Sequence, residues 1–197
     1  MKISSSKIDL SNGWESIADS FIENRNTDIG VSTVEEWSKS FKLDASILDI
    51  GCGFGVPHSQ LLANTGFKVY GIDASQTLIN EFQRRFPQVL AKCETVEESS
   101  FFNKKFDGII AIGLMFILSE QTQLKVLTKV AEALNTNGRF LFTSPYQICE
   151  WVDILTGLKS QSLGKAAYVE ALSRQGLSLV AEYSDEGENN YFDFIKL

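Results

Sequence analysis

Short apolar runs alternate along the chain with amphipathic stretches, the pattern of repeated strand–helix units. SILDI (46–50), KVYGI (68–72), QVLAK (88–92), FDGIIAI (106–112) and RFLFTS (139–144) predict five strands. The unbroken apolar character of the first and fourth predicts central strands covered on both faces. Helices are expected near 57–65, 75–85 and 120–135. The last puts Leu124, Leu127, Val130, Ala131 and Leu134 on one stripe and stops at Asn135-Thr136-Asn137-Gly138. Upstream, 12–41 reads as two helices, the first carrying Trp14, Ile17, Ala18 and Phe21. Downstream, 165–176 reads as a helix closing on Gly176. LSLVAEYSD and NYFDFIKL then flank the polar turn Glu186-Gly187-Glu188-Asn189 as an antiparallel hairpin, with the turn in solvent. The expected class is α/β, in a single domain.

Composition narrows the function classes. A chain of 197 residues with 44% hydrophobic and 22% charged side chains is ordinary globular protein. Such a chain can bury about 70% of its unfolded surface without disulfides or a structural metal. Cys52, Cys93 and Cys149 are an odd number at wide spacings, with neither a CxxC zinc pair nor a disulfide framework among them. They are expected to be small buried thiols in a reducing compartment, and no metal site is expected. The segment MKISSSKIDLSNGWES lacks the apolar run of a signal peptide, and no stretch approaches the roughly 20 apolar residues of a membrane span. A cytoplasmic protein without a membrane partner is expected. The net charge of −7 argues against a broad phosphate-binding surface, hence against a nucleic-acid partner.

The chemistry sits in ILDIGCGFGVP (47–57). A buried strand runs into Gly51-Cys52-Gly53-Phe54-Gly55, and Pro57 suits the first turn of a helix. Glycines permit positive φ and close approach of the backbone to a ligand, and the helix N-terminus supplies free N–H groups. Such turns also serve packing alone. Asp73, directly after the second strand, puts a carboxylate beside the loop, within reach of a ribose diol. Alone it would read as a helix cap, a job Ser75 could share. Together, loop and carboxylate read as a nucleoside site. The loop is G-x-G-x-G, whereas the dinucleotide fingerprint is G-x-G-x-x-G. Asp49, at the end of the first strand, would repel a diphosphate but could orient the ammonium or sulfonium end of a cationic ligand. That favours S-adenosylmethionine over NAD.

At these residues the sequence resembles the class I (Rossmann-like) S-adenosylmethionine-dependent methyltransferases. ILDIGCGFG resembles their first motif and VYGIDAS the second, with its ribose-binding acid. CETVEESSFF resembles the segment flanking the adenine ring, where either Glu94-Thr95 or the Thr95-Val96-Glu97 run matches the family's acidic and small pair. FDGIIAIGLMFIL resembles the fourth-strand motif. LNTNGRFLFTSP resembles the loop into strand five, where many members have Pro-Gly-Gly. Residues 151–190 resemble a group of uncharacterised bacterial methyltransferases ending in a similar acidic turn. The resemblance covers about 12–145 by motif and reaches the terminal hairpin by topology. It implies a doubly wound seven-stranded sheet in order 3-2-1-4-5-7-6, strand 7 antiparallel, with helices on both faces. The hairpin supplies the reversed strand independently. Within the one domain it implies an N-terminal helical cap (1–45) and a Rossmann-like core (46–197).

The implied activity is transfer of a methyl group from S-adenosyl-L-methionine to a small-molecule acceptor, with S-adenosyl-L-homocysteine as product. The implied donor residues are Asp49, Gly51, Cys52, Gly53, Gly55, Asp73, Ala74, Thr95, Val96 and Ile112, joined by Trp14 and Arg25 from the cap. Arg25 would pair with the methionine carboxylate. Many family members carry histidines after strand four, where this chain has Met115-Phe116. Its single histidine, His58, is expected at the helix surface or fixing the loop, and no catalytic residue is assigned. Displacement at a carbon activated by a sulfonium needs chiefly collinear positioning, which can contribute about 7–11 kcal/mol. A base is needed only where the nucleophile keeps its proton. The acceptor is expected over the carboxyl ends of the strands, bounded by Met115, Phe116, Tyr146 and Trp151, with segments 12–25 and 145–164 closing over the donor. The accepting atom (N, O, S or C) and the oligomeric state stay open. Two alternatives remain: a catalytically silent S-adenosylmethionine-binding protein, or an NAD-linked oxidoreductase, which the loop spacing, Asp49 and the lack of a Tyr-x-x-x-Lys pair disfavour.

Overall fold

A computed structural model describes residues 9–197. Residues 1–8, which begin the expected cap and the segment read as lacking a signal peptide, lie outside the described residues. Two helices, α1 (Trp14–Asn24) and α2 (Val31–Ser38), precede β1 (Ser46–Ile50). Then α3 (His58–Thr65), β2 (Lys68–Asp73), α4 (Gln76–Arg85), β3 (Leu90–Cys93), β4 (Phe106–Ala111) and α5 (Glu120–Ala133) follow in alternation. The chain continues through β5 (Leu134–Thr143), β6 (Ile148–Val152), β7 (Lys159–Leu163) and α6 (Gly164–Ser173). It ends on β8 (Leu177–Ser184) and β9 (Asn190–Lys196).

Seven strands form one sheet in the order β3-β2-β1-β4-β5-β9-β8. The first five are parallel, and β9 runs antiparallel to both β5 and β8. Counted within this sheet alone, that is the 3-2-1-4-5-7-6 order the resemblance implied. Alternation of side chains supplies two cores. Leu48, Ile109, Phe140, Phe142 and Phe192 pack towards Val126, Val130 and Tyr168 on α5 and α6. Ile47, Val69, Ile110, Leu141 and Tyr191 pack the opposite way, towards Val34 and Trp37 of α2 and Leu62 of α3. Sheet and cap are also joined by Asp193, fully buried, whose carboxylate accepts from Trp37 Nε1 at 3.2 Å and from Arg139.

Three expectations change. The long connection 145–164 contains an antiparallel hairpin of its own, β6 with β7. Its strands are short, and KSQSL offers no apolar alternation to read. On α5, Leu124 is 40% exposed and Gln123 takes the buried position. Burial costs Gln123 little because its amide is fully engaged: Nε2 donates to the carbonyls of Leu118 and Gln161, and Oε1 accepts from the Tyr168 hydroxyl. Of the cysteines only Cys52 is buried; Cys93 is exposed on β3 at the edge of the sheet and Cys149 is half-buried on β6. Among the described residues no helix is long and apolar enough to cross a membrane.

Candidate active site

At the carboxyl end of β1 the chain must turn sharply between two helices' worth of packing. The N–H groups of Gly51 and Cys52 both donate to the carbonyl of Ile72 at 2.8 and 3.0 Å, which ties the loop to β2. Two glycines divide the work. Gly55 (φ +86°) is a packing glycine, since a Cβ there would lie 2.7–2.8 Å from the rings of Phe82 and Phe86. Gly53 (φ +54°) faces open space, with Phe21 the nearest atom at 3.8 Å from such a Cβ. So packing requires a glycine at 55, while at 53 the backbone faces free space.

Asp73 ends β2 beside this loop. Its Oδ2 accepts from the N–H of Gly53 at 2.9 Å and its Oδ1 from Ser75 at 2.8 Å. Ser75 itself caps α4 by accepting from Leu78. Burial raises the Asp73 carboxyl, against the two backbone bonds. Two further lone-pair positions remain on the carboxylate for a ligand. Asp49 is buried behind the loop, and its Oδ2 accepts from the Ser59 hydroxyl at 2.7 Å. Burial pushes its carboxyl up to about 7, with the Ser59 bond opposing and the charge of Asp73 adding. Burial also raises the Cys52 thiol, so it is not a reactive thiolate.

These groups open onto a cavity of about 360 Å³, the size of small-molecule sites. Every expected donor residue lines it: Asp49, Gly51, Cys52, Gly53 and Gly55 from the loop, Asp73 and Ala74 after β2, Thr95 and Val96 after β3, Ile112 after β4, and Trp14 and Arg25 from the cap. Glu94 and Glu97 line it as well, so both registers of the third-strand segment face the cavity; Glu94 Oε2 is buried without a partner. Trp14, Phe21 and Phe54 stack edge to face in a row, with centroids 4.9 and 5.8 Å apart, and the guanidinium of Arg25 sits 5.3 Å from the Phe21 ring. Burial lowers the pKa of Arg25, against the nearby Tyr191 and Asp185.

The four acceptor residues fare differently. Phe116 lines the cavity. Met115 does not: it opens a 3-10 turn that aims its side chain into the core, where it is fully buried. Tyr146 packs edge-on against Phe192, and Trp151 stands behind Phe116 with centroids 5.4 Å apart. Neither of the last two reaches the cavity wall. The two covering segments do meet. Asn12 donates to the carbonyl of Ile117 at 3.2 Å, and Thr156 and Leu158 lie 3.3 Å from where a Cβ of Gly13 would stand. Asp153 and Leu155, at the hairpin tip, face the cavity.

Two features run against the sequence reading. His58 is 7% exposed, not at a helix surface, because the start of α3 lies beneath Gly30 and Tyr191 and faces the cavity. The turn after β8 is exposed on its outer side, yet Asp185 and Asn189 line the cavity together with Tyr191. Glu186 fixes that turn to the cap, accepting from the N–H of Gly30 at 3.3 Å and from Ser32 Oγ at 2.7 Å. The sequence signal for His58 is its place next to Pro57 at the helix start; that for the acidic turn is only its likeness to the turn of the group that residues 151–190 resemble.

A methyltransferase-domain family model matches residues 47–138. Among solved structures, a TehB-like S-adenosylmethionine-dependent methyltransferase from Corynebacterium glutamicum is 20% identical, covering 94% of this chain and 97% of its own, with a TM-score of 0.68. Magnesium protoporphyrin IX methyltransferase from Synechocystis, solved with S-adenosylhomocysteine bound, is 14% identical over 100% of this chain and 89% of its own, at a TM-score of 0.69. A glycopeptide N-methyltransferase is 15% identical over 85% and 96%, also at 0.69. No protein of curated function matches the sequence. The chain shares the fold of these structures, and its residues 47–138 match a methyltransferase domain.

Proposed function

We propose that the chain transfers a methyl group from S-adenosylmethionine to a small-molecule acceptor by in-line displacement, leaving S-adenosylhomocysteine. The observation that carries this is convergence: the glycine loop, Asp73 hydrogen-bonded to Gly53, and the segment 94–97 open onto one cavity that also holds a half-buried arginine, Arg25. The residues present fit the donor. Gly53 leaves room for close approach, Asp73 keeps lone pairs for a ribose diol, and Glu94 Oε2 and Arg25 Nε are buried polar atoms lacking partners. Arg25 would hold the methionine carboxylate, and Asp49 would oppose the positive charge of the amino-acid end. Trp14 and Phe21 present ring faces and edges beside it. When bound, the donor supplies a methyl carbon already activated by its sulfonium.

The protein's own contribution is then position and exclusion of water. The cap as far as it is described, α1 above all, covers the loop, and the hairpin tip at 153–158 covers α1's start. A cavity of about 360 Å³ favours a small acceptor over a polymer. Calorimetry with S-adenosylhomocysteine, S-adenosylmethionine and NADH tests the reading. Binding of the first two and not the third is expected; equal binding of NADH, or none of the three, would overturn it. Release of S-adenosylhomocysteine in the presence of acceptors separates an enzyme from a silent binding protein.

A further inference from the structure

The donor accounts for the loop end of the cavity. The other end is lined by Ile29, His58, Asp185, Asn189 and Tyr191, which the donor does not use. His58 is 7% exposed and neither ring nitrogen has a hydrogen-bond partner. Native proteins rarely leave a buried polar group unpaired, and one that faces a cavity is completed by what enters it. Beside it Asp185 is already saturated. Its Oδ1 accepts from the N–H groups of Gly187 and Asn189, and its Oδ2 from the Tyr191 hydroxyl at 2.7 Å. Asn189 Nδ2 reaches both oxygens at 3.0 Å. Tyr191 spends its proton on Asp185 and keeps its lone pairs.

Resting on the donor reading, the geometry points to this end as the acceptor subsite and to an uncharged primary amine as the group it takes. One amine N–H donates to His58 and the other to the Tyr191 oxygen, which leaves the nitrogen lone pair to face the methyl carbon.

Charge supports the same class. Among the described lining residues Arg25 is the only lysine or arginine, against six carboxylates: Asp49, Asp73, Glu94, Glu97, Asp153 and Asp185. The donor's carboxylate takes that one cation, so an anionic acceptor would enter unpaired among acids. A hydroxyl acceptor must give its proton to a base. Burial, with Arg25 alongside, holds His58 down to about 4, and Asp185 opposes this only in part. The imidazole is therefore neutral, able to accept a hydrogen bond but too weak to deprotonate an alcohol. A weakly basic amine such as an arylamine is uncharged in solution and needs no base. Its lone pair forms the N–C bond, the S–C bond breaks with its pair going to sulfur, and the positive charge passes from sulfur to nitrogen. The methylated ammonium sheds a proton to water on release.

The test uses the full chain and matched primary amines, alcohols and carboxylic acids on common one- and two-ring skeletons. Binding of S-adenosylhomocysteine to the chain alone is the control, and its failure would sink the donor reading whatever the acceptor. Amines are expected to raise the melting temperature of the S-adenosylhomocysteine complex more than their alcohols and acids do. With S-adenosylmethionine, the amines alone should yield methylated product. His58→Leu should lose the amine shift while keeping S-adenosylhomocysteine affinity within about twofold. His58→Gln, which keeps an acceptor and a donor, should retain part of it. Tyr191→Phe should raise the amine KM about tenfold, the loss of one hydrogen bond. Should His58→Leu not fold, the Gln and Phe variants make the same comparison. An alcohol or acid preferred to its amine overturns the proposal, as does a panel in which no amine binds. A His58→Leu variant that weakens S-adenosylhomocysteine about tenfold also overturns it, by seating His58 on the donor.

Discussion

The two ends of the cavity are built in different ways. The proposed nucleoside end comes from successive parallel strands: the loop 51–55 follows β1, Asp73 ends β2 and 94–97 follow β3. Backbone pairing of neighbouring strands sets their spacing, and Asp73 is bonded to the loop itself. The far end is assembled from Ile29 ahead of the sheet, His58 after the loop and Asp185, Asn189 and Tyr191 at the last hairpin. Side chains join it, and Glu186 spans 156 and 154 positions of sequence to reach Gly30 and Ser32. A site set by the sheet tolerates little change. One set by side chains on loops can be altered without touching the sheet, which is where specificity is ordinarily varied.

The sharpest break in this comparison comes from the two glycines. Gly53→Val should fold, at about 1–2 kcal/mol for its positive φ, and should weaken S-adenosylhomocysteine by at least roughly 100-fold in calorimetry. Gly55→Val should instead fail to fold, because its Cβ would overlap the Phe82 and Phe86 rings. If Gly53→Val binds like wild type, the donor does not approach that backbone. Next in size is Asp73→Ala. It removes the ribose acceptor and strands the Gly53 N–H, and should cost roughly 1–3 kcal/mol of S-adenosylhomocysteine affinity. An unchanged dissociation constant would leave Asp73 as a structural brace only.

A smaller effect belongs to Asp49. Its carboxyl stands at about 7 in the folded chain, against about 3.9 when unfolded. The folded state thus holds a proton that the unfolded state lacks between these values. Its stabilising contribution is fully present below about pH 4 and is lost as the pH rises towards 7. A cationic donor favours the charged form, so affinity for S-adenosylmethionine should rise between about pH 6 and 8, by up to about tenfold. S-adenosylhomocysteine, without the sulfonium, should gain less. Equal gains for the two ligands would detach Asp49 from the sulfonium. The smallest effect concerns the far end alone. Glu186→Gln should speed hydrogen exchange over 26–32 and 185–189 while leaving exchange in β1 and β2 as it was. If all four regions change together, the two ends are not separable.

The contrast also explains what was legible in the sequence. Ten of the twelve expected donor residues are legible because they lie at or just after strand ends, where pattern and position coincide; Trp14 and Arg25 come instead from the amphipathic helix ahead of the sheet. Ile47 to Ile50 declare a buried strand by composition, and a glycine loop after it declares the turn. Asp185 and Asn189 look like any polar hairpin turn; only the antiparallel return of β9 beside β5 brings them to the cavity. Met115 and Tyr146 were placed by proximity to strand ends, but whether a side chain there turns to the cavity or the core is decided by one residue of register. The β6–β7 hairpin escaped notice because half its residues are exposed and its polar strand carries no apolar face.

One contact beneath the cap ties two parts of the cavity wall together. Glu15 on α1 accepts from Ser75 Oγ at 2.5 Å and from the N–H and hydroxyl of Thr77 at 3.1 and 2.8 Å. The first turn of α4 is therefore held by a carboxylate that belongs to the covering helix. Ser75 in turn donates its N–H to Asp73. Lifting α1 would remove that carboxylate and fray the turn that steadies Asp73, so uncovering this side of the cavity and loosening Asp73 would be a single event.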